Sequence, residues 1–400
     1  MSFDLPSDII ELIIDIVGEN KDTDLLKELA LVSHSFHQIC SNHLFAIIEL
    51  HSAQANPLCP SSKKGFVKLL SKSRPDVVKY IRKLKYIVIY NEDDDHLLSR
   101  TLLNFLPAFS RLDSFTIIAA GSHRDWNRLN PSLTSAFLYL MHLPTINHID
   151  LSYIRNFPLS SLTQSVNLLR LDINYLSLEE DAYPEIVAEM MPKIRKFRTL
   201  SSSQLTTKLL RAKLRDGRPA FNFMDLRRFS TYIGRIEDEQ NVRYLLQNAM
   251  LLEKLRLSSV ARGHSLEGLL SPNARNLKVL DLSVPLWDGN SIFLGGTCEG
   301  LEALAGHNML EAFKLCVGIN SDVTEGFIGS ILQKVENILV KPGWSALRRV
   351  SFKVQIIRRY QENATRLCEA LQSLQSLPDK YFSHLSKLES LTFNYQTELY

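Results

Sequence analysis

Residue types that bind metal ions recur at every third position near the start of the chain: His34, His37, Cys40 and His43. On an α-helix each step of three residues turns about 300° around the axis, so successive members of the series drift by about 60°. His34 and His43 then point to opposite sides of the helix, whereas a tetrahedral metal site needs ligands that converge. The series therefore predicts a helix and no metal site.

Two further stretches contain residues that could bind ions or phosphate. Glu92 to Asp95 is a run of acids that could bind a cation or a basic partner, but acids also favour the N-terminus of a helix, here from Leu97 onward. Gly295-Gly296-Thr297 lacks the lysine and the spacing of a phosphate-binding loop, and it predicts a turn. The chain contains no GxSxG or HExxH motif and no recognisable Cys–His pairing. We therefore expect no catalysis and no cofactor.

The composition is that of a soluble globular protein, since 45% of the 400 residues are hydrophobic and 22% are charged. The five cysteines are scattered, the first residues do not form a secretory signal, and no window reaches the ~20 apolar residues of a membrane span. We expect an intracellular protein, cytoplasmic or nuclear, without membrane insertion. Residues 1–50 carry a net charge of −7, which leaves +10 for residues 51–400. Such asymmetry indicates different partners for the two parts.

The first fifty residues predict three short amphipathic helices. Residues that can cap or end them are Ser7 or Asp8, Gly18, Asp22 to Asp24, and Ser33 or Ser35. The first helix has an apolar stripe too wide for a solvated helix, and a segment this short cannot bury all of its apolar surface within itself. It either packs against the rest of the chain or offers a face to a partner.

The residues of this segment follow a known order. They are Leu5-Pro6-x-Asp8-Ile9-Ile10, Asp24-Leu25-Leu26, Leu29 to Phe36, and Leu44-Phe45. In order and spacing, residues 3–50 resemble the F-box in the form common in fungal proteins, with Phe36 where Trp is frequent. The resemblance implies binding to a Skp-type adaptor of cullin–RING ubiquitin ligases. The residues that it implies for this contact, some of which will lie in the core instead, are Leu5, Pro6, Ile9, Ile10, Ile13, Leu25, Val32 and Phe36.

After residues 52–65, whose composition predicts a linker, the pattern apolar-x-x-apolar-x-apolar recurs eleven times at steps of 22 to 41 residues. Each copy ends in alternation, which predicts a strand with one buried face. The middle apolar residues are Ile87, Phe115, Ile149, Leu171, Phe197, Phe229, Leu255, Leu280, Phe313, Val350 and Leu391. The helical stretches between copies include Leu97–Phe109, Leu133–Leu143, Gln240–Met250, Val323–Val340 and Tyr360–Leu377.

One strand and one helix at each step of roughly 20–30 residues resembles a leucine-rich repeat. The resemblance implies an α/β fold in which an F-box, residues 1–51, precedes an irregular leucine-rich-repeat solenoid of about eleven repeats, residues 66–400. Parallel strands would lie inside the solenoid and helices outside. The copies depart from the family, because none has the Asn or Cys that normally follows two residues after the last apolar position.

Residues between and just after the buried positions of each strand face the concave side of such a sheet. Nine of them are basic and three are acidic, Asp150, Asp172 and Asp281. The basic residues expected to bind a substrate are Arg170, Lys196, Arg198, Arg228, Lys254 and Arg256, and the others are Lys314, Arg349 and Lys353. Tyrosines expected on the same side are Tyr86, Tyr90 and Tyr232. The charge favours an acidic or phosphorylated peptide, although a solvated face without a binding role is the simpler alternative.

Together the two resemblances imply a non-catalytic substrate-recognition subunit of an SCF-type cullin–RING ubiquitin ligase, with a protein substrate held by the repeats. One alternative is a protein-interaction scaffold, adaptor-bound or free, without a role in ubiquitination. Another is a nucleic-acid-binding repeat protein that uses the basic side of the sheet. The modest excess of +10 and the few interleaved aromatic residues speak against nucleic acid.

Overall fold

The computed structural model describes residues 6–52, 63–73, 75–88, 96–179, 191–200, 203–214, 216–259, 276–286, 292–306, 309–320, 325–357 and 364–399. The chain forms two compact units, of which the first contains residues 1–192 and 213–220 and the second residues 193–212 and 221–400. The fold is mixed α/β, with helices around a large parallel sheet of twelve strands, five in the first unit and seven in the second. In the part of the chain that the structure describes, no helix is long and apolar enough to cross a membrane.

After the first three helices, a helix separates most successive strands of the large sheet in the described ranges. The helices are α1 (Ser7–Glu19), α2 (Thr23–Leu29), α3 (His34–Leu44), α4 (Lys63–Lys68), α5 (His96–Phe105), α6 (Pro131–Met141), α7 (Leu159–Thr163), α8 (Ser203–Arg211), α9 (Ile236–Asn248), α10 (Ile292–Leu304), α11 (Glu325–Leu339), α12 (Ala364–Gln375) and α13 (Leu377–Tyr381). The strands are β1 (Ile47–His51), β2 (Lys83–Val88), β3 (Ser114–Ala119), β4 (Arg124–Asp125), β5 (His148–Ser152), β6 (Ile154–Arg155), β7 (Phe157–Pro158), β8 (Arg170–Asn174), β9 (Leu178–Glu179), β10 (Lys196–Thr199), β11 (Arg228–Ile233), β12 (Lys254–Ser259), β13 (Val279–Leu286), β14 (Ala312–Ile319), β15 (Arg349–Ile356) and β16 (Thr392–Leu399). Two short parallel pairs, β4 with β6 and β7 with β9, lie outside the large sheet.

The three N-terminal helices form where the sequence predicts them. Asp22 accepts a hydrogen bond from the amide of Leu25 at 3.1 Å and thereby caps α2. Ser33 accepts one from the amide of Phe36 at 3.3 Å and caps α3. Side chains at these positions satisfy amides that have no partner within the helix, which sets where each helix begins.

A small apolar core holds these helices together. Ile14, Leu26 and Cys40, one from each helix, are buried at its centre. The ring of His43 lies against Gly18 so closely that a Cβ at Gly18 would come within 2.2 Å of it. Gly18 therefore allows the C-terminal end of α3 to pack against α1.

The strands of each unit pair in a register that aligns their buried residues. In the first unit the aligned residues are Leu84, Phe115, Ile149 and Leu171. In the second unit they are Phe197, Phe229, Leu255, Leu280, Phe313 and Val350, and the row ends at Phe393, which is half-buried. The strand predictions centred on Phe115 to Leu171 and on Phe197 to Val350 are thus confirmed. Like residues stack across strands: the rings of Phe197 and Phe229 lie 5.7 Å apart and nearly parallel.

Strand β2 differs from its prediction by its register. The sequence predicts Ile87 as its central buried residue and Tyr86 on the concave side, but Leu84 pairs with Phe115 and Tyr86 is buried. The ring of Tyr86 packs against that of Phe137 on α6 at 5.0 Å. Lys83 and Lys85 share the face of Ile87, whereas Leu84, Tyr86 and Val88 form the apolar face, so alternation within the strand already favoured the observed register.

Two other predictions are wrong, and two more concern residues that the structure does not describe. Ile47–His51 forms strand β1, paired with β2, although the sequence places it in a helical segment. Gly295-Gly296-Thr297 lies inside α10 and is not a turn; each helical glycine costs about 1 kcal/mol, which the buried Leu301 and Leu304 of the same helix help to offset. The acids Glu92 to Asp95 and residues 53–62 of the predicted linker lie outside the described residues.

A buried carboxylate joins α11 to the segment after α13 in the second unit. Glu336 of α11 is 2% exposed, and its Oε1 accepts hydrogen bonds from the amides of His384 at 3.0 Å and Leu385 at 3.1 Å. Nearby, Gly329 of α11 touches the ring of Tyr381, which a Cβ would approach to 2.2 Å. The segment from α13 onward is therefore held by one charge and by close packing against a glycine.

Candidate functional site

The first helix carries two apolar faces. Ile10, Ile14 and Val17 recur at helical spacing and pack into the core of the N-terminal helices. A second set with spacing i, i+3, i+4 and i+7 is exposed: Ile9, Leu12, Ile13 and Ile16. Ile9 is 39% exposed and Ile13 is 45% exposed. The wide apolar stripe predicted for this helix thus divides into one face for the core and one face for solvent.

Further exposed apolar side chains follow along the chain. Leu25 lies on α2, and Leu31 and Val32 lie in the turn after it, where Leu31 is 87% exposed. We call the whole set the apolar surface: Ile9, Leu12, Ile13, Ile16, Leu25, Leu31 and Val32. Scattered exposed apolar residues are ordinary, but four of these seven lie on one face of α1, and such a concentration is typical of a surface that binds a partner.

The residues predicted to contact an adaptor separate into groups. Pro6, Ile9, Ile13, Leu25 and Val32 are exposed. Ile10 and Phe36, by contrast, are partly buried against the core of the N-terminal helices. Leu5 lies outside the described residues. Sequence reasoning missed Leu12, Ile16 and Leu31, although the helical spacing from Ile9 to Ile16 was a usable signal.

Five of the six basic residues predicted to bind substrate lie together on three adjacent strands of the second unit. The register places Lys196, Arg228 and Lys254 side by side on β10, β11 and β12. Two positions further along, it places Arg198 and Arg256 on either side of Ser230. We call Lys196, Arg198, Arg228, Lys254 and Arg256 the basic patch. All but Lys254, which is half-buried, are exposed.

The basic patch is poorly neutralised. Arg256 has Asp281 of β13 at 3.7 Å, measured from its Nε to a carboxylate oxygen. In the described ranges the other four cations make no ion pair. The acid next to the patch, Glu253, already pairs with Arg227 at 3.1 Å. Positive charge therefore accumulates on the solvent side of these three strands.

Arg170, the sixth predicted residue, lies in the first unit and has a partner of its own. Its Nη2 lies 2.6 Å from Oδ2 of Asp172, which is 4% exposed. The same oxygen lies 3.2 Å from Nε2 of His148, and Nδ1 of His148 lies 2.8 Å from Oγ of Ser114. Arg170 is thus already paired with Asp172 and belongs to a series of hydrogen-bonded side chains on β3, β5 and β8.

The order serine, histidine, aspartate in this chain resembles the arrangement of a hydrolytic triad. Ser114, however, is buried, and its own amide donates to the carbonyl of Arg82. A nucleophile needs an open approach and free amides that stabilise an oxyanion. We therefore infer that the hydrogen bonds linking Ser114, His148 and Asp172 stabilise the pairing of strands β3, β5 and β8.

This assignment predicts a pH-dependent stability. Burial by itself raises the pKa of Asp172, but the hydrogen bonds from His148 and Arg170 and their charges outweigh it, so the pKa lies below its usual value. A lowered folded-state pKa stabilises the native state above the unfolded value, about 3.9, and this stabilisation is lost as pH falls through the folded pKa. Asp172→Asn is expected to lower the free energy of unfolding at pH 7 by about 2 kcal/mol, with a smaller difference in acid.

Chemical denaturation at pH 7 and in acid measures this difference. Asp216→Asn is the matched control, because Asp216 pairs with Arg218 on the surface, where both side chains are nearly half exposed. Equal effects of the two substitutions would show that the buried chain does not stabilise the fold.

An aromatic ladder occupies the loops after three strands of the first unit. The rings of Tyr153 and Tyr175 stack 4.9 Å apart, and the ring of His123 lies edge-on to both. Tyr153 and Tyr175 have positive φ, a conformation that side chains other than Gly and Asn rarely adopt. The repeated segments Asp-Leu-Ser-Tyr and Asp-Ile-Asn-Tyr, which end at these two tyrosines, were a signal that sequence reasoning missed.

His34, His37, Cys40 and His43, whose spacing predicts a helix and no metal site, all lie on α3, where Cys40 is buried in the core and His43 lies 2.7 Å from Asp15. No protein-family model matches the chain, and no curated protein matches it either. Its function therefore has to be inferred from the apolar surface and the basic patch.

Proposed function

We propose that the chain is an F-box protein, the substrate-recognition subunit of an SCF-type cullin–RING ubiquitin ligase. The observation that carries the proposal is the second apolar face of α1, from Ile9 to Ile16, which remains exposed after the first face has formed a core. It belongs to the same three helices whose sequence resembles the F-box. A Skp-type adaptor is the partner that this resemblance implies.

Burial of these apolar side chains against a partner would contribute favourably to the free energy of binding. Burying one large aliphatic side chain completely stabilises an interface by about 1.5–3 kcal/mol. The seven side chains are 39% to 87% exposed, so each can contribute only part of this amount, and together they offer a free energy of about the size of the cost of association. Asp8, Glu11 and Asp15 are exposed on the same helix at spacing i, i+3 and i+7, so an acidic stripe borders the apolar face on one side. A polar rim around an apolar centre is typical of specific protein interfaces.

The second unit supplies a surface of opposite charge for the substrate. Alternating strands and helices support the proposal of irregular leucine-rich repeats, with the basic patch on the solvent side of the sheet. In this proposal the repeats hold an acidic or phosphorylated protein. Ubiquitin transfer takes place on other subunits, so the chain itself needs no catalytic residue.

Direct binding tests the proposal. The purified full-length chain and a Skp-type adaptor are expected to elute together as a stable complex in size-exclusion chromatography, and addition of the cullin should shift the complex again. Failure of the chain and the adaptor to associate would overturn the proposal. Binding of adaptor without cullin would instead favour a scaffold without a role in ubiquitination.

A further inference from the structure

Ser230 stands at the centre of the basic patch. The strand register pairs it with Arg198 on β10 and with Arg256 on β12, so the backbone of each arginine lies about 4.8 Å from that of Ser230. Arg228 lies two residues before it on the same strand, at about 6.6 Å. Lys196 and Lys254 occupy the two diagonal positions, since both pair with Arg228. A half-buried hydroxyl is thus bordered by five cations.

We propose that this arrangement is a binding site for one phosphoryl group, carried on a serine or threonine of the substrate and centred over Ser230. The inference rests on the proposed function insofar as it places substrate on this side of the sheet. It does not depend on adaptor binding. The proposal for the apolar surface and the proposal for the basic patch can therefore be tested independently.

The packing of like charges supports a bound anion. Lys196, Arg228 and Lys254 lie directly opposite one another on adjacent strands, where like charges destabilise a sheet. Their side chains make no ion pair in the described part of the chain. An acid at any of the three positions would remove the repulsion. An anion from outside neutralises the row when the protein is bound, so the repulsion is confined to the free state.

The geometry suits a phosphate better than a carboxylate. Arg198 and Arg256 stand on either side of Ser230, and a guanidinium that turns towards the centre can offer two parallel N–H donors to an oxygen pair. A tetrahedral phosphate dianion has enough oxygens to accept from both forks and from the Ser230 hydroxyl. A planar carboxylate with one charge has two oxygens and fills one fork. The site should therefore discriminate phosphoserine from glutamate.

The borders of the patch favour a peptide over nucleic acid. On one side Asp281 approaches Arg256, and beyond Ser230 on β11 the next solvent-facing residue is the uncharged Tyr232. Three strands span only about 10 Å. That size fits one phosphoryl group, whereas a nucleic-acid strand requires a basic path that continues from phosphate to phosphate.

Fluorescence anisotropy with the full-length chain tests the site. The probes are a short labelled peptide with one central phosphoserine, the same peptide with serine, and the same peptide with glutamate. We expect the phosphopeptide to bind at least about tenfold more tightly than the glutamate peptide, a difference of about 1.4 kcal/mol. Arg198→Gln with Arg256→Gln should remove this preference, and Arg198→Lys should weaken it because lysine keeps the charge but loses the fork.

Arg349→Gln is the matched control. Arg349 is an exposed cation on the same side of the sheet, on β15, without an ion pair among the described residues. It lies three strand spacings, about 14 Å, from Lys254. Its loss should leave the phosphopeptide affinity within about twofold. Equal affinity for the three peptides, or competition by single-stranded RNA that is stronger than by phosphopeptide, would overturn the proposal.

Thermal unfolding gives a second readout that does not need a peptide. Arg228→Gln is expected to raise the melting temperature by about 2 °C at low salt, because it relieves the repulsion in the row. Inorganic phosphate should raise the melting temperature of the wild type above that in sodium chloride of equal ionic strength, but not that of the Arg198→Gln, Arg256→Gln variant. A lower melting temperature for Arg228→Gln would contradict the inference. If every variant still binds the adaptor, then a negative result for phosphate binding does not affect the proposal that the chain binds a Skp-type adaptor.

Discussion

Replacing Ile9 and Ile13 with aspartate should reduce affinity for a Skp-type adaptor by at least about a thousandfold. The two side chains lie one helical turn apart on the exposed face of α1. Truncating one central residue of an interface commonly costs 2–4 kcal/mol, and a buried carboxylate without a partner costs more. Two such changes exceed the 4.1 kcal/mol that correspond to a thousandfold change. Isothermal titration of each variant with the purified adaptor measures the loss.

Two controls make the result specific. Leu97→Asp places the same charge on an exposed leucine of α5 in the same unit, and it should leave adaptor affinity unchanged. Ile14→Asp should abolish binding for a different reason, because Ile14 is buried and its loss unfolds the three helices. Circular dichroism separates the two causes, since the variant with Ile9→Asp and Ile13→Asp should keep its helices. Full adaptor binding by that variant would contradict the assignment of the apolar surface.

Glu336→Ala should lower the free energy of unfolding of the segment around α13 by about 3–5 kcal/mol. The change removes the acceptor of two amides, those of His384 and Leu385, and leaves both without a partner next to a new cavity. Hydrogen bonds to a buried charged group contribute about 1.5–3 kcal/mol each. Native-state hydrogen exchange at the amide of Leu385, which is fully buried, measures the effect where it arises.

The matched control for this change is Glu302→Ala. Glu302 pairs with Lys341 at 2.8 Å, and both side chains are about half exposed. Exposed pairs contribute at most about 1 kcal/mol. We expect Glu336→Gln to fall between the two, because an amide oxygen still accepts hydrogen bonds but carries no charge. Similar protection of Leu385 in wild type and Glu336→Ala would exclude the carboxylate as the element that holds this segment.

Most strands could be predicted because their buried and exposed residues alternate clearly, whichever strand lies beside them. Phe197, Phe229 and Leu255 are flanked by charged or polar residues, so alternation alone assigns their faces. The N-terminal helices could be predicted from their capping residues, such as Asp22 and Ser33. These signals depend only on residues that are close in the sequence, so contacts with distant residues do not change them.

The remaining features depend on contacts between distant residues. Ile10 and Ile13 look alike in the sequence, and packing against Leu26 and Cys40 buries one of them. Tyr86 is different, because Lys83 and Lys85 share the face of Ile87 and this local alternation was a usable signal that Tyr86 is the buried residue. The charge of the basic patch was predictable residue by residue. The central position of Ser230 follows only from the register of three strands.

The bond network of Glu336 also has a consequence for synthesis. Its two partner amides come 48 and 49 residues later in the chain. At about 5–20 residues per second, a ribosome adds that stretch in roughly 2–10 s. During this interval α11 can form its backbone hydrogen bonds, but Glu336 lacks the two amides that donate to it in the folded protein. Final docking of α11 therefore waits for translation of residues 384 and 385, and nascent chains halted before this point keep a charged, solvent-accessible face on α11.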